Sequence, residues 1–95
     1  MARPAVIESA RLSRLRHLVT DTALDVLTAH GVAMPGRIEV EDRPGRIRVR
    51  LVFDHRVPGY VRNDLTAEVL EALRPVTRYP VANCVQVVCR RTDRR

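Results

Sequence analysis

Between Ile38 and Phe53 the chain alternates apolar and charged side chains on both sides of Pro44-Gly45, a pattern that permits little except a β-hairpin. Ile38 and Val40 alternate with Glu39 and Glu41; Ile47, Val49, Leu51 and Phe53 alternate with Arg46, Arg48, Arg50 and Val52. With Pro44 and Gly45 as a two-residue loop, Val40 falls opposite Val49 and Ile38 opposite Leu51 on the buried face. The same register sets Glu41 against Arg48 and Glu39 against Arg50 on the wet face, where each opposite-charge pair contributes about 0.2–1 kcal/mol. Pro-Gly suits a type II turn, which twists a tight hairpin the wrong way. A longer loop with a bulge is the alternative, and it would spoil the pairing.

Amphipathic segments flank the hairpin. Leu12, Leu15, Leu18, Val19, Ala23, Val26 and Leu27 recur at three- and four-residue steps and predict a helix from about Ser9 to His30. Ser9 is its expected N-cap and Gly31 its left-handed terminator. Before it, Ala5-Val6-Ile7 form either a short edge strand or a ragged end. A second helix is expected over Val61 to Leu73, with Val61, Leu65, Val69, Ala72 and Leu73 opposite Asn63, Asp64, Glu68 and Glu71. Pro75 marks its end, and Arg74 in the last turn suits the helix dipole. The final segment, Val81 to Arg90, reads as a strand with Val85, Val87 and Cys89 facing one way and Cys84, Gln86 and Val88 the other. Residues 1–8 and 91–95 are expected to be frayed tails of a single domain covering 1–95. The expected fold is α+β, order α-β-β-α-β, with a three-stranded mixed sheet and two helices packed on one face.

Ninety-five residues, 45% hydrophobic and 29% charged, leave room for one domain. Folding a chain of this size hides roughly 65% of its unfolded surface, which suffices for a modest core but not a deep substrate cavity. The longest apolar runs are too short to cross a bilayer, and no apolar stretch of signal-peptide length follows Arg3. A cytoplasmic location is therefore expected. The net charge is +6, and all 17 basic residues are arginine. Such a balance favours an acidic partner, whether nucleic acid, an anionic membrane surface or an acidic protein. The bland reading is arginine-rich codon usage combined with solubility. Phe53, Tyr60 and Tyr79 are too few aromatics for a platform that stacks single-stranded bases.

Motifs for chemistry are missing where they are usually found. On a strand, Cys84 and Cys89 point to opposite faces about 16 Å apart, too far to bridge. His17, His30 and His55 are scattered, with no CxxC or HxxxH, so no metal site and no cofactor site is predicted. Ser9 and Ser13 lie near His17 without a strained elbow around them. Asp21 and Asp25 share a helix face, and Asp54 adjoins His55 beside Pro58-Gly59, the most enzyme-like pair in the chain. Four scattered glycines make no phosphate-binding loop. The loop Val57-Pro58-Gly59-Tyr60 lacks the two spaced glycines of a KH-type clamp. No catalytic residue is assigned and a non-enzyme is expected.

One segment runs against local physics. Arg11, Arg14 and Arg16 stand near the start of the first helix, with Asp21 and Asp25 further along, the reverse of what the macrodipole favours. Either these arginines, with Arg3, face an acidic or phosphate-bearing partner, or they pair with Glu8, Asp21 or carboxylates of the second helix. Together with Arg90, Arg91, Arg94 and Arg95 they form the candidate partner or polyanion footprint.

The order helix–hairpin–helix–strand, and the wording of Arg46 to Arg90, resemble the alkaline shock protein family of bacterial envelope-stress proteins. The alternating strand, the Val57-Pro58 loop, the amphipathic helix Val61 to Leu73 and the Val-rich strand Val81 to Val88 follow at the family's spacing. The first half matches through a helix ending near Gly31-Val32 and a strand entering at Ile38. The likeness covers about 80 residues and rests on hydrophobic pattern rather than on an invariant motif. It implies a small non-enzymatic α+β protein in the cytoplasm, gathered at the inner face of the membrane through a membrane-embedded anchor protein or by forming a homo-oligomer, and supporting envelope homeostasis under stress. Two features depart from the family: its glycine-rich stretch after the first helix is reduced to Ala33-Met34-Pro35-Gly36, and its frequent acidic faces are replaced by a basic balance.

Overall fold

A computed structural model describes residues 10–77 and 84–90. The elements are α1 (Ala10–His30), β1 (Arg37–Arg43), β2 (Arg46–Phe53), α2 (Gly59–Leu73), one 3-10 turn (Arg74–Val76) and β3 (Val85–Cys89). The order α-β-β-α-β and the α+β class agree with the sequence reading. The expected cap Ser9, the stretch Ala5-Val6-Ile7, residues 81–83 of the last strand and Arg91 lie outside the described residues.

The hairpin forms in the register that its hydrophobic pattern requires. Val40 pairs with Val49 and Ile38 with Leu51, while Glu41 lies across from Arg48 and Glu39 across from Arg50. Arg43 pairs with Arg46, so Pro44 and Gly45 alone make the loop and no bulge intervenes. Gly45 sits at φ 78°, the left-handed value that the third position of a type II turn demands. The unfavourable twist of such a turn is tolerated because β2 is also held on its other side, where β3 runs parallel from Val49↔Val85 to Phe53↔Cys89. The sheet order is β1-β2-β3.

One face of this sheet and the inner stripes of both helices make a single core. Val49, Leu51 and Phe53 from β2, Val19 and Leu27 from α1, and Val61, Leu65 and Leu73 from α2 are almost completely buried in it. Gly31 ends α1 at φ 69°. α2 begins two residues earlier than the periodicity suggested, because the carbonyl of Pro58 accepts the Val61 and Arg62 amides and draws Gly59 and Tyr60 into the first turn. Pro75 does not stop the chain from turning; it occupies an early position of the 3-10 turn, where its missing N–H costs nothing. The helices run antiparallel: His30, at the end of α1, donates from Nε2 to Asp64 Oδ2 near the start of α2 (2.9 Å).

The last strand is shorter than expected. Val85, Val87 and Cys89 pack on the core as the alternation requires. Cys84, expected to face away with Gln86 and Val88, is instead buried in the core. It precedes the ladder, so the two-residue alternation of a strand does not govern its side chain. Its carbonyl accepts the Val49 amide at 2.8 Å.

Candidate interaction surfaces

The arginines near the start of α1 do not act alike. Arg11 donates from Nε to Asp42 Oδ2 at 2.7 Å and from a terminal nitrogen to the Val76 carbonyl at 3.2 Å. Its partner is thus a hairpin carboxylate rather than Asp21 or an acid of the second helix, and Glu8 lies outside the described residues. Asp42 points to the core side of β1, opposite Ile47, which carries it beneath the first turn of α1. Arg16 is exposed but also has a partner. Arg14 is exposed, with no partner among the described residues. Beside it a groove of about 810 Å³, lined by Arg11, Ser13, Arg14, His17 and Val76 among others, follows the first half of α1. His17 donates from Nδ1 to the Ser13 carbonyl at 2.9 Å, so this pair is locked locally and forms no hydroxyl–imidazole contact.

Arg90 belongs to the other end of the sheet. Its amide donates to the Phe53 carbonyl at 2.8 Å, whereas Arg11 is tied to Asp42, opposite Ile47. Ile47 and Phe53 are six positions apart on β2, about 20 Å at strand rise. The positions expected to form one footprint therefore divide: Arg11, Arg14 and Arg16 lie at one end and Arg90 at the other, while Arg91, Arg94 and Arg95 lie outside the described residues. Spacing in sequence could not reveal this, because the parallel crossover carries β3 along β2 in the direction away from Asp42.

A different basic surface emerges on the outer face of the sheet. β1 presents Arg37, Glu39, Glu41 and Arg43 there, and β2 presents Arg46, Arg48 and Arg50. Glu39 is shared between Arg37 (3.2 Å) and Arg50 (3.5 Å), and Glu41 turns to Arg43 (3.9 Å). Of the two cross-strand ion pairs that the register implies, only Arg50–Glu39 closes. Arg48 and Arg46 keep exposed guanidinium groups with no partner among the described residues. Arg46 moreover stands directly across from Arg43, a like-charge juxtaposition that destabilises a strand pair. The sequence held the signal, since the register that pairs Glu41 with Arg48 also pairs Arg43 with Arg46.

The enzyme-like pair does not assemble. Asp54 is exposed and its carboxylate rests against Gly36, where a β-carbon would collide with it. His55 instead lies tilted over Phe53, ring centroids 5.4 Å apart, and both its ring nitrogens are buried with no hydrogen-bond partner among the described residues. A general base must reach a proton on its substrate, and this imidazole reaches neither Asp54 nor solvent. Cys84 and Cys89 are free thiols, and burial pushes the Cys84 thiol above its ordinary value. Among the described residues no three His, Cys, Asp or Glu side chains converge as metal ligands, and no helix is long and apolar enough to cross a membrane.

Comparison with known proteins adds no relative. No family model, no curated protein and no solved structure matches the chain.

Proposed function

We propose that this chain is a non-catalytic interaction domain of the envelope-stress type, acting by protein–protein contact and self-association. Its place in the cell is the cytoplasm, at the inner face of the membrane, beside a membrane-embedded anchor protein. The observation that carries the reading is the sheet itself. Both helices cover one side, and the other side leaves Arg46, Arg48 and Arg50 exposed in a row with β1 at its edge. A charged sheet face and a strand edge with no neighbour among the described residues are surfaces that proteins use to bind other chains. The unassembled Asp54 and His55 support the same reading by removing the best enzyme-like pair.

Light scattering over a concentration series tests it. The expected outcome is a mass that rises with concentration; a strictly monomeric chain at high concentration counts against self-association.

A second reading is a basic module for nucleic acid or an anionic membrane, favoured by the guanidinium groups of Arg46 and Arg48 that no carboxylate neutralises among the described residues. It requires binding that weakens steeply with salt, because each phosphate contact releases counterions. A flat salt response removes it.

A further inference from the structure

We infer that the outer face of the sheet is the docking site for a second copy of this chain, whose α1 presents Asp21 and Asp25 to Arg46 and Arg48. The inference rests on the self-association reading and names the two surfaces that meet.

The basic half of the contact is the pair Arg46 and Arg48. They lie two residues apart on β2, about 6.6 Å along the strand, exposed and without partners among the described residues. The acidic half is on α1. Asp21 and Asp25 are one turn apart, about 6 Å along the helix axis, and lie opposite the buried stripe of Val19, Ala23 and Val26. Both carboxylates are exposed and have no partner among the described residues. Two unpaired cations and two unpaired anions at matching intervals are therefore displayed on opposite layers of one molecule. Leu24, 48% exposed and one turn after Asp21, adds apolar area at the flank of the helical patch.

Charge pattern favours a second copy over a uniform polyanion. The sheet face carries Glu39 and Glu41 among its arginines, and a phosphate backbone laid across it would press against both. The outward line of α1 supplies instead a cation, Arg14, exposed two turns before Asp21 and without a partner among the described residues. A mixed surface thus meets a mixed surface. Among the described residues no aromatic side chain stands on this face to stack a base: Phe53 is buried in the core, and Tyr60 lies at the start of α2 against His30.

The two patches differ, so the contact is heterologous and each added copy leaves one basic and one acidic patch free. The experiment exploits this. Arg46→Glu/Arg48→Glu and Asp21→Arg/Asp25→Arg are made separately in the full chain and weighed by sedimentation, alone and mixed in equal amounts, at about 0.05 M and about 0.5 M salt. At these strengths screening extends to roughly 14 Å and 4 Å.

The wild-type protein is expected to gain mass with concentration at low salt and to lose it at high salt. Each variant alone stays monomeric. Their mixture recovers the wild type's gain in mass, because the intact acidic patch of one variant meets the intact basic patch of the other and the two reversed patches are again opposite in charge. That recovery also proves that both variants fold. If both variants associate as the wild type does, another surface is responsible; the inference falls while self-association stands. If the wild-type chain is monomeric throughout, both fall together. If the variants are monomeric but the mixture forms no complex, and Arg46→Glu/Arg48→Glu abolishes binding to duplex DNA, the face belongs to a nucleic acid and the inference is overturned.

Discussion

Arg11 Nε donates a 2.7 Å hydrogen bond to Asp42 Oδ2 across 31 positions of sequence, tying the first turn of α1 to the end of β1. The bond answers the oddity of a helix that starts with cations. The arginine that offends the macrodipole is neutralised by a carboxylate from another element, only 18% exposed. Because the Arg11 side chain is 41% exposed, solvent screening limits what the pair contributes. A double-mutant cycle of Arg11→Ala and Asp42→Ala, measured by urea unfolding, is expected to give a coupling of about 1 kcal/mol. A coupling of zero shows that the contact adds nothing to stability.

The hairpin turn depends on one backbone conformation. Gly45 has φ 78° with open space around its α-carbon, so an added side chain meets no neighbour and only the backbone is strained. Gly45→Ala is expected to cost about 1 kcal/mol, and Gly45→Asn less, since asparagine enters the left-handed region more readily. Equal costs for the two would place the strain elsewhere. The comparison is made on denaturation midpoints.

His55 is a polar group that the fold buries without compensation. Both ring nitrogens are buried with no hydrogen bond among the described residues, and a polar group left so costs about 1–3 kcal/mol. His55→Phe keeps a ring over Phe53 and removes the unsatisfied nitrogens. Its melting temperature is expected to rise by several degrees, as about 1 kcal/mol does for a domain of this size. A fall in stability would mean that the imidazole has a bonded partner in solution.

Alkaline titration should report on Cys84. Burial raises the thiol above the ordinary 9.0 in the folded chain, so the unfolded chain loses its proton first as pH rises. Above about pH 9 the unfolded state binds fewer protons, and stability falls with pH; below that value the contribution is fully present. Cys84→Ala is expected to flatten the alkaline limb of a stability–pH curve relative to the wild type. Parallel curves for the two proteins would sink the assignment.

The elements of this fold are legible in local sequence wherever a period coincides with a boundary signal. The two-residue alternation around Pro44-Gly45 set Ile38, Glu39, Val40 and Glu41 against Leu51, Arg50, Val49 and Arg48, as the structure pairs them. The three- and four-residue steps of Leu15, Val19 and Ala23 marked the buried stripe of α1, and Gly31 its end. Cys84 was misread because periodicity says which face a residue takes only inside a ladder, and Cys84 lies one residue before it.

What the amino-acid order determined by itself was the buried stripe of each regular element, because it follows from repeats of 2 and 3.6 residues that each segment carries alone; Cys84, ahead of its ladder, and Val52, on the outer face, are buried against that pattern. What the tertiary structure decided was which charges remain free. Arg11 found Asp42, Glu39 took Arg50 and Arg37, and Glu41 turned to Arg43, leaving Arg46 and Arg48 unsatisfied among the described residues. Ion pairing is settled by distances of a few ångströms between residues remote in sequence or angled across strands. No local pattern encodes those distances until the layers have packed.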